Sequence, residues 1–136
     1  MIDRLFVDTA GWMAMADSKD PLHLTSLHTR DHWLEKGGIL TTSNYVLDEM
    51  LTLIRMRLGN QATEKWWTRI SESPRCSVEW ISPERAGKAV RWFFDWKDQF
   101  FSFTDCTSFI VMRELGIEKI LTGDRHFTTA GFQILP

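Results

Sequence analysis

The chain has 136 residues, 43% of them apolar and 25% charged, with a formal net charge of −2. That length suits one domain with a core of its own, and the composition excludes a disordered chain. The near-neutral balance also excludes the global basic signature of a protein that coats duplex DNA.

Leu5-Phe6-Val7 is a short apolar run that reads as a buried strand, and Asp8 ends it. Gly11 to Asp17 is a short helix candidate. Asp20-Pro21 opens a longer helix, with Asp as cap and Pro in the first turn, and Gly37-Gly38 closes it. Leu22, Leu27, Trp33 and Leu34 give that helix its apolar side, and Ile39 to Thr41 follows as a brief second strand. Ser43 or Asn44 caps a helix through Leu58, on which Val46, Leu47, Met50, Leu51, Ile54 and Leu58 recur at helical spacing. Gly59-Asn60 turns the chain into another helix that ends near Ser73-Pro74. Ser77 to Ile81 reads as a strand, and Ser82-Pro83-Glu84 starts a helix towards Phe94 with a favourable cap and first turn. Thr104 to Leu115 is helical and is stopped by Gly116; strand Lys119 to Leu121, a short turn and strand Gln133 to Leu135 complete the chain. Strand and helix alternate throughout. The pattern predicts an α/β fold over residues 1–136, with a mostly parallel sheet of four or five strands and helices on both faces.

Four acids stand where apolar runs meet turns or helices. Asp8 and Asp124 each follow a predicted strand, and in open parallel sheets the ligand crevice lies outside the carboxyl ends of the strands. Asp105 precedes an apolar helical pattern, and Glu49 lies off the centre of the apolar stripe between Ser43 and Leu58, where it can face the edge of a crevice. Each has a local explanation as well. Asp105 lies three residues after a Ser102 cap, Asp124 follows Gly123 in a turn, and Glu49 sits beside Asp48 on a helix. Asp8 is the hardest to explain locally, because a carboxylate directly after Leu-Phe-Val is costly unless paired, protonated or bound to a metal.

Taken in order, Phe6-Val7-Asp8-Thr9, Asn44-Tyr45-Val46-Leu47-Asp48-Glu49, Ser102-Phe103-Thr104-Asp105-Cys106-Thr107-Ser108 and Leu121-Thr122-Gly123-Asp124-Arg125-His126-Phe127 resemble the PIN-domain ribonucleases, especially the toxins of VapBC toxin-antitoxin pairs. The resemblance spans essentially the whole chain. It implies a metal-dependent endoribonuclease acting on single-stranded or loop RNA, with Asp8, Asp105 and Asp124 as direct or water-mediated ligands and Glu49 binding metal or orienting water. Mg²⁺ or Mn²⁺ suits such a hard oxygen set, as one or two ions. Thr9, Thr104 and Thr122 are implied as hydroxyls that hold the carboxylates, although each also fits an ordinary turn or cap. The resemblance further implies a hydroxide nucleophile, products ending in 5′-phosphate and 3′-hydroxyl, a cognate antitoxin and a homodimer. One position departs from the pattern. Phe109, four residues after Asp105, stands where the family often has a small side chain.

Other readings have less behind them. His23, His28 and His32 lie at helical spacing, but no metalloprotease pattern accompanies them. His126 beside Asp124 is read as a turn residue, within reach of substrate or proton transfer. A phosphatase would want a second acid where Ala10 stands. Cys76 and Cys106 lack CxxC spacing and read as core residues of a protein in a reducing cytoplasm, without secretory leader or membrane span. Arg55, Arg57, Lys65, Arg69, Arg91, Arg113 and Arg125 are candidates for a local basic rim. Seven tryptophans are many, and the run Trp92 to Phe103 cannot place every ring on one side of one helix; core packing takes most, while a dimer contact, an antitoxin groove or base stacking are open for the rest. The alternative from a different class is a catalytically idle protein-interaction module of the same fold.

Overall fold

The computed structural model describes residues 2–136. Five strands, β1 (Arg4–Val7), β2 (Ile39–Ser43), β3 (Cys76–Glu79), β4 (Lys119–Leu121) and β5 (Gln133–Leu135), form one sheet in the order β3-β2-β1-β4-β5. Every pairing is parallel. Leu5, Phe6 and Val7 of the central strand are fully buried, as expected of a strand covered on both faces.

The helices are α1 (Thr9–Ala16), α2 (His23–Glu35), α3 (Asn44–Leu58), α4 (Asn60–Glu72), α5 (Pro83–Asp95), α6 (Phe103–Leu115) and α7 (His126–Thr129). The connections from β1 to β2 and from β2 to β3 step one way across the sheet, and those to β4 and β5 lie on the other side of β1. Right-handed crossovers therefore set α1 to α4 on one face and α5 to α7 on the other, which agrees with which helices pack together. The strand order reverses between β1 and β4, so their carboxyl ends flank the crevice where ligands bind in such sheets. Asp8 and Asp124 follow those two strands.

Several boundaries differ from the sequence expectation. The second helix begins at His23, because Asp20 closes a turn instead of capping a helix: its Oδ1 accepts from Leu22 N–H (2.9 Å) and its carbonyl from His23 N–H (3.0 Å). The third strand runs Cys76–Glu79, in register with Leu40 to Ser43, and stops before Ile81, whose N–H is taken by Asn44 Oδ1 (2.8 Å). The short turn after β4 contains α7, four residues and too brief to show a period. Among the described residues no helix is long and apolar enough to cross a membrane.

One glycine positions the site. A Cβ on Gly11 would overlap the carbonyl oxygen of Leu121, so the first turn of α1 lies directly on the end of β4. That contact brings Asp8 against Thr122.

Candidate active site

Asp8 is the N-cap of α1 and only 5% exposed. Its Oδ1 accepts from Gly11 N–H (2.9 Å) and its Oδ2 from the Thr122 hydroxyl (2.9 Å). Thr122 Oγ1 in turn accepts from the N–H of Asp124 (2.9 Å), so one buried hydroxyl ties together the acids after β1 and β4. Burial pushes the Asp8 carboxyl up to about 7, against the lowering effect of its two hydrogen bonds, and the nearby charges of Asp105 and Asp124 add to the rise.

Asp105 is the third residue of α6 and closes a capping box with Ser102: its N–H donates to Ser102 Oγ (3.0 Å) and its Oδ2 accepts from Ser102 N–H (3.2 Å). Asp124 Oδ1 accepts from His126 N–H (2.9 Å). The His126 ring then lies between the two, Nδ1 standing 3.3 Å from Asp105 Oδ2 and 3.4 Å from Asp124 Oδ1. In the tautomer with its proton on Nδ1, the ring can donate to either carboxylate. Burial is the main cause of a raised carboxyl pKa at Asp105, with Asp124 adding to it and the bonds to Ser102 and His126 working against it.

Asp105 and Asp124 have the local roles that their positions suggested, and Asp8 has one as well. Asp8 is a cap, Asp105 belongs to a capping box and Asp124 holds a turn, yet all three face one cleft of about 460 Å³. The backbone bonds fix the carboxylate orientations, which is how local structure preorganises such a site.

Asp105, Asp124 and His126 offer ligand atoms that all lie within 4.8 Å of one another. Asp8 and Glu49 line the same cleft but lie outside that close group, Glu49 half-buried on α3. Of the three threonines, Thr122 bonds to the Asp8 carboxylate and to the backbone N–H of Asp124. Thr9 and Thr104 line the cleft, and the Thr9 hydroxyl is buried without a hydrogen-bond partner. Beyond the expected site residues, the cleft also holds His126, read from the sequence mainly as a turn residue, and Ser108. His126 belongs among the acids, and Ser108 is 1% exposed with its hydroxyl also unpartnered. The one available sign for Ser108 was its helical spacing, three residues on from Asp105.

Phe109 is fully buried at the centre of an aromatic cluster beneath the site. Its ring lies 5.0 Å from Phe101, 5.0 Å from Phe127, 5.1 Å from Trp92 and 5.8 Å from Phe132. Phe101 meets His126 edge-on at 5.4 Å. Of the aromatic residues from Trp92 to Phe103, Trp92 and Phe101 are buried and Phe103 is half-buried, while Phe93, Phe94, Trp96 and Phe100 are exposed, so core packing takes fewer of them than expected.

The other candidates separate from the cleft. His28 and His32 are exposed and His23 Nδ1 contacts the Ala14 carbonyl (2.8 Å), so the histidines of α2 form no metal group among the described residues. Burial pushes the Cys76 thiol up to about 11 and the Cys106 thiol to about 12, so neither is a thiolate nucleophile near neutral pH. Only Arg57 of the proposed basic rim lines the acid cleft. Lys65 and Arg69 line a separate groove, Arg125 borders another, and Arg113 stacks over Trp92 at 4.4 Å.

The donor set suits a hard divalent cation. Three aspartates and a glutamate crowd one crevice, and the most deeply buried of them is uncharged at mildly acid pH unless positive charge is supplied.

No protein-family model matches the chain. It is 34% identical to the 23S rRNA-specific endonuclease VapC20 of Mycobacterium tuberculosis over 128 residues, which cover 94% of this chain and 95% of the relative. A VapC ribonuclease of Archaeoglobus fulgidus is 29% identical over 124 residues, covering 90% of this chain and 78% of that one. The crystal structure of M. tuberculosis VapC20, described as a sarcin-ricin loop cleaving toxin, superposes with a TM-score of 0.84, again covering 94% and 95% of the two chains. FitAcB of Neisseria gonorrhoeae, 11% identical, shares the fold with a TM-score of 0.68 over 97% of this chain and 96% of that one.

Proposed function

This chain belongs to the VapC ribonucleases of the PIN-domain class, and we propose that its residues 1–136 form one nuclease domain in which Asp8, Asp105, Asp124 and Glu49 hydrolyse RNA phosphodiester bonds with Mg²⁺ or Mn²⁺. The observation that carries the reading is the convergence of these acids from separate elements on one cleft, with Asp8 buried and its carboxyl pushed up to about 7.

In this reading Asp8, Asp105 and Asp124 hold one or two cations, and Glu49 completes the shell or orients the attacking water. A bound cation would offset the clustered negative charge, favour deprotonation of water and stabilise charge developing on the phosphate. Thr122 keeps Asp8 and Asp124 in register. Thr9, Thr104 and Ser108 line the cleft, and the His126 ring lies with Nδ1 between Asp105 and Asp124. The 34% identity to VapC20 makes the sarcin-ricin loop of 23S rRNA the first substrate to examine.

The test is cleavage of ribosomal RNA by the pure protein with Mg²⁺ or Mn²⁺, with EDTA, and with Asp8→Asn or Asp105→Asn. Loss of cleavage in EDTA, recovery on adding excess cation, and inactivity of both variants are expected. Cleavage that persists under chelation and in both variants would remove the metal-nuclease proposal; a folded wild type that cuts no RNA would point to an idle interaction module.

Thr122→Val isolates the buried hydroxyl. It should lower cleavage by roughly 10- to 100-fold, the usual cost of losing a group that orients a metal ligand, while the circular dichroism spectrum is retained. Full activity in Thr122→Val would show that Asp8 and Asp124 need no such tie.

As a toxin, the protein would arrest growth on expression, and co-expression of an antitoxin encoded beside it would relieve the arrest. The proposed homodimer is read by light scattering of the pure chain.

A further inference from the structure

Phe100 is 89% exposed and lines the acid cleft. A ring left in water contributes almost nothing to folding, so packing does not account for it. Single exposed apolar side chains are ordinary, and Leu24, Met56, Trp80 and Phe94 are exposed too. What sets Phe100 apart is its place: among the described residues it is the only exposed large apolar side chain that lines this cleft.

The loop that presents it is anchored. Phe101 is buried, with ring centroids 5.0 Å from Phe109, 6.0 Å from Trp96 and 5.4 Å from His126. Ser102 donates its N–H to Asp105 Oδ2 at 3.2 Å. The two residues after Phe100 are therefore fastened to the histidine and carboxylate of the site, so the backbone that carries the ring is anchored beside them.

We propose that Phe100 is a stacking platform for an unpaired RNA base next to the bond that is cut. The proposal rests on the nuclease reading and deepens it by naming a substrate-binding group. Beyond what a bound cation would supply at the reacting phosphate, a cleft lined by acids in a chain of net charge −2 gains little from attraction to phosphates, and of the side chains lining it only Arg57 brings a permanent positive charge. Stacking has no such dependence on charge, because every base has a π-face, and unpaired bases splayed from loops are commonly held on aromatic rings.

The test uses an RNA hairpin carrying the sarcin-ricin loop, with 2-aminopurine replacing each loop adenine in turn. It is titrated with full-length Asp8→Asn protein in Mg²⁺, so that binding is read without cleavage. At one position, fluorescence should be quenched on binding. Adding Phe100→Ala should abolish that quenching and raise Kd about tenfold; Phe100→Trp should retain both, and Phe100→Leu should behave like Ala. In protein that retains Asp8, Phe100→Ala should raise KM more than it lowers kcat. Unchanged quenching and Kd in Phe100→Ala would overturn the proposal, as would full rescue by Phe100→Leu, since apolar area alone would then suffice. If wild type cuts the hairpin and Phe100→Ala cuts it with the same KM, stacking fails and the nuclease reading stands. A wild type that neither binds the hairpin nor cuts any ribosomal RNA removes both.

Discussion

Asp8→Asn is expected to silence RNA cleavage and also to make the metal-free protein more stable at pH 8. The two effects have one cause. Asp8 is buried, and its carboxyl lies at about 7 in the fold against 3.8 for an ordinary aspartate. Below pH 3.8 the group is protonated in folded and unfolded chains alike, and it costs nothing. Between 3.8 and 7 the folded chain keeps the proton that the unfolded chain has released, so stability falls as pH rises. Above 7 the cost is complete. The interval from 3.8 to about 7, at roughly 1.4 kcal/mol per pH unit, sets a ceiling of about 4 kcal/mol. Asparagine is nearly isosteric, can still accept from Gly11 N–H and carries no charge to desolvate. Denaturant unfolding in EDTA should therefore show wild type losing more stability between pH 5 and pH 8 than Asp8→Asn, which keeps only the decline that the raised Asp105 carboxyl contributes. Divalent cation should restore wild type at pH 8, and at mildly acid pH its binding should release protons. In RNA cleavage the variant should fall at least about 100-fold, the scale of losing a main electrostatic stabiliser. Equal or lower stability of Asp8→Asn at pH 8 without metal would mean that the carboxylate is not under strain in the fold.

The contrast between Asp8 and His126 shows what could be read from the sequence. A charge directly after three apolar strand residues violates a one-dimensional pattern, so its cost was visible without coordinates. His126 violates nothing in its own segment; its partner Asp105 is 21 positions away on another helix and meets it only because β4 and α6 deliver both to one crevice. The parallel sheet was legible for a similar reason, since alternating short apolar runs and amphipathic segments leave few other architectures. Asp20-Pro21 was misleading because a turn and a helix start use the same two residue types, and tertiary packing decided between them. Four residues of α7 were too few for any period. Glu49 was legible as a residue off the apolar stripe, but its separation from the close group of Asp105, Asp124 and His126 was not.

Phe109→Ala should be among the most damaging substitutions outside the acids, although the resemblance led to the expectation of a small side chain at this place. Phe109 is fully buried, and four aromatic rings surround it at 5.0 to 5.8 Å. A small residue is tolerated where the neighbours have grown to fill the space; here the neighbours are fitted to a ring, and rigid aromatics cannot collapse into the hole. Removal of a buried Phe from such a setting costs about 3–5 kcal/mol, which for a chain of this size lowers Tm by roughly 10–20 °C. The loss should also reach the site. Phe101 packs on Phe109 and supports His126, and Phe127 follows His126 in the chain and packs on the same ring. Cleavage measured well below the variant's own Tm should therefore remain several-fold under wild type, because the folded protein holds His126 less firmly between Asp105 and Asp124. Phe109→Leu keeps most of the volume and should lose less of both. A cost for Phe109→Ala under about 1.5 kcal/mol, the range of volume-conserving swaps, would show that the cluster relaxes around the gap and that the site does not depend on this ring.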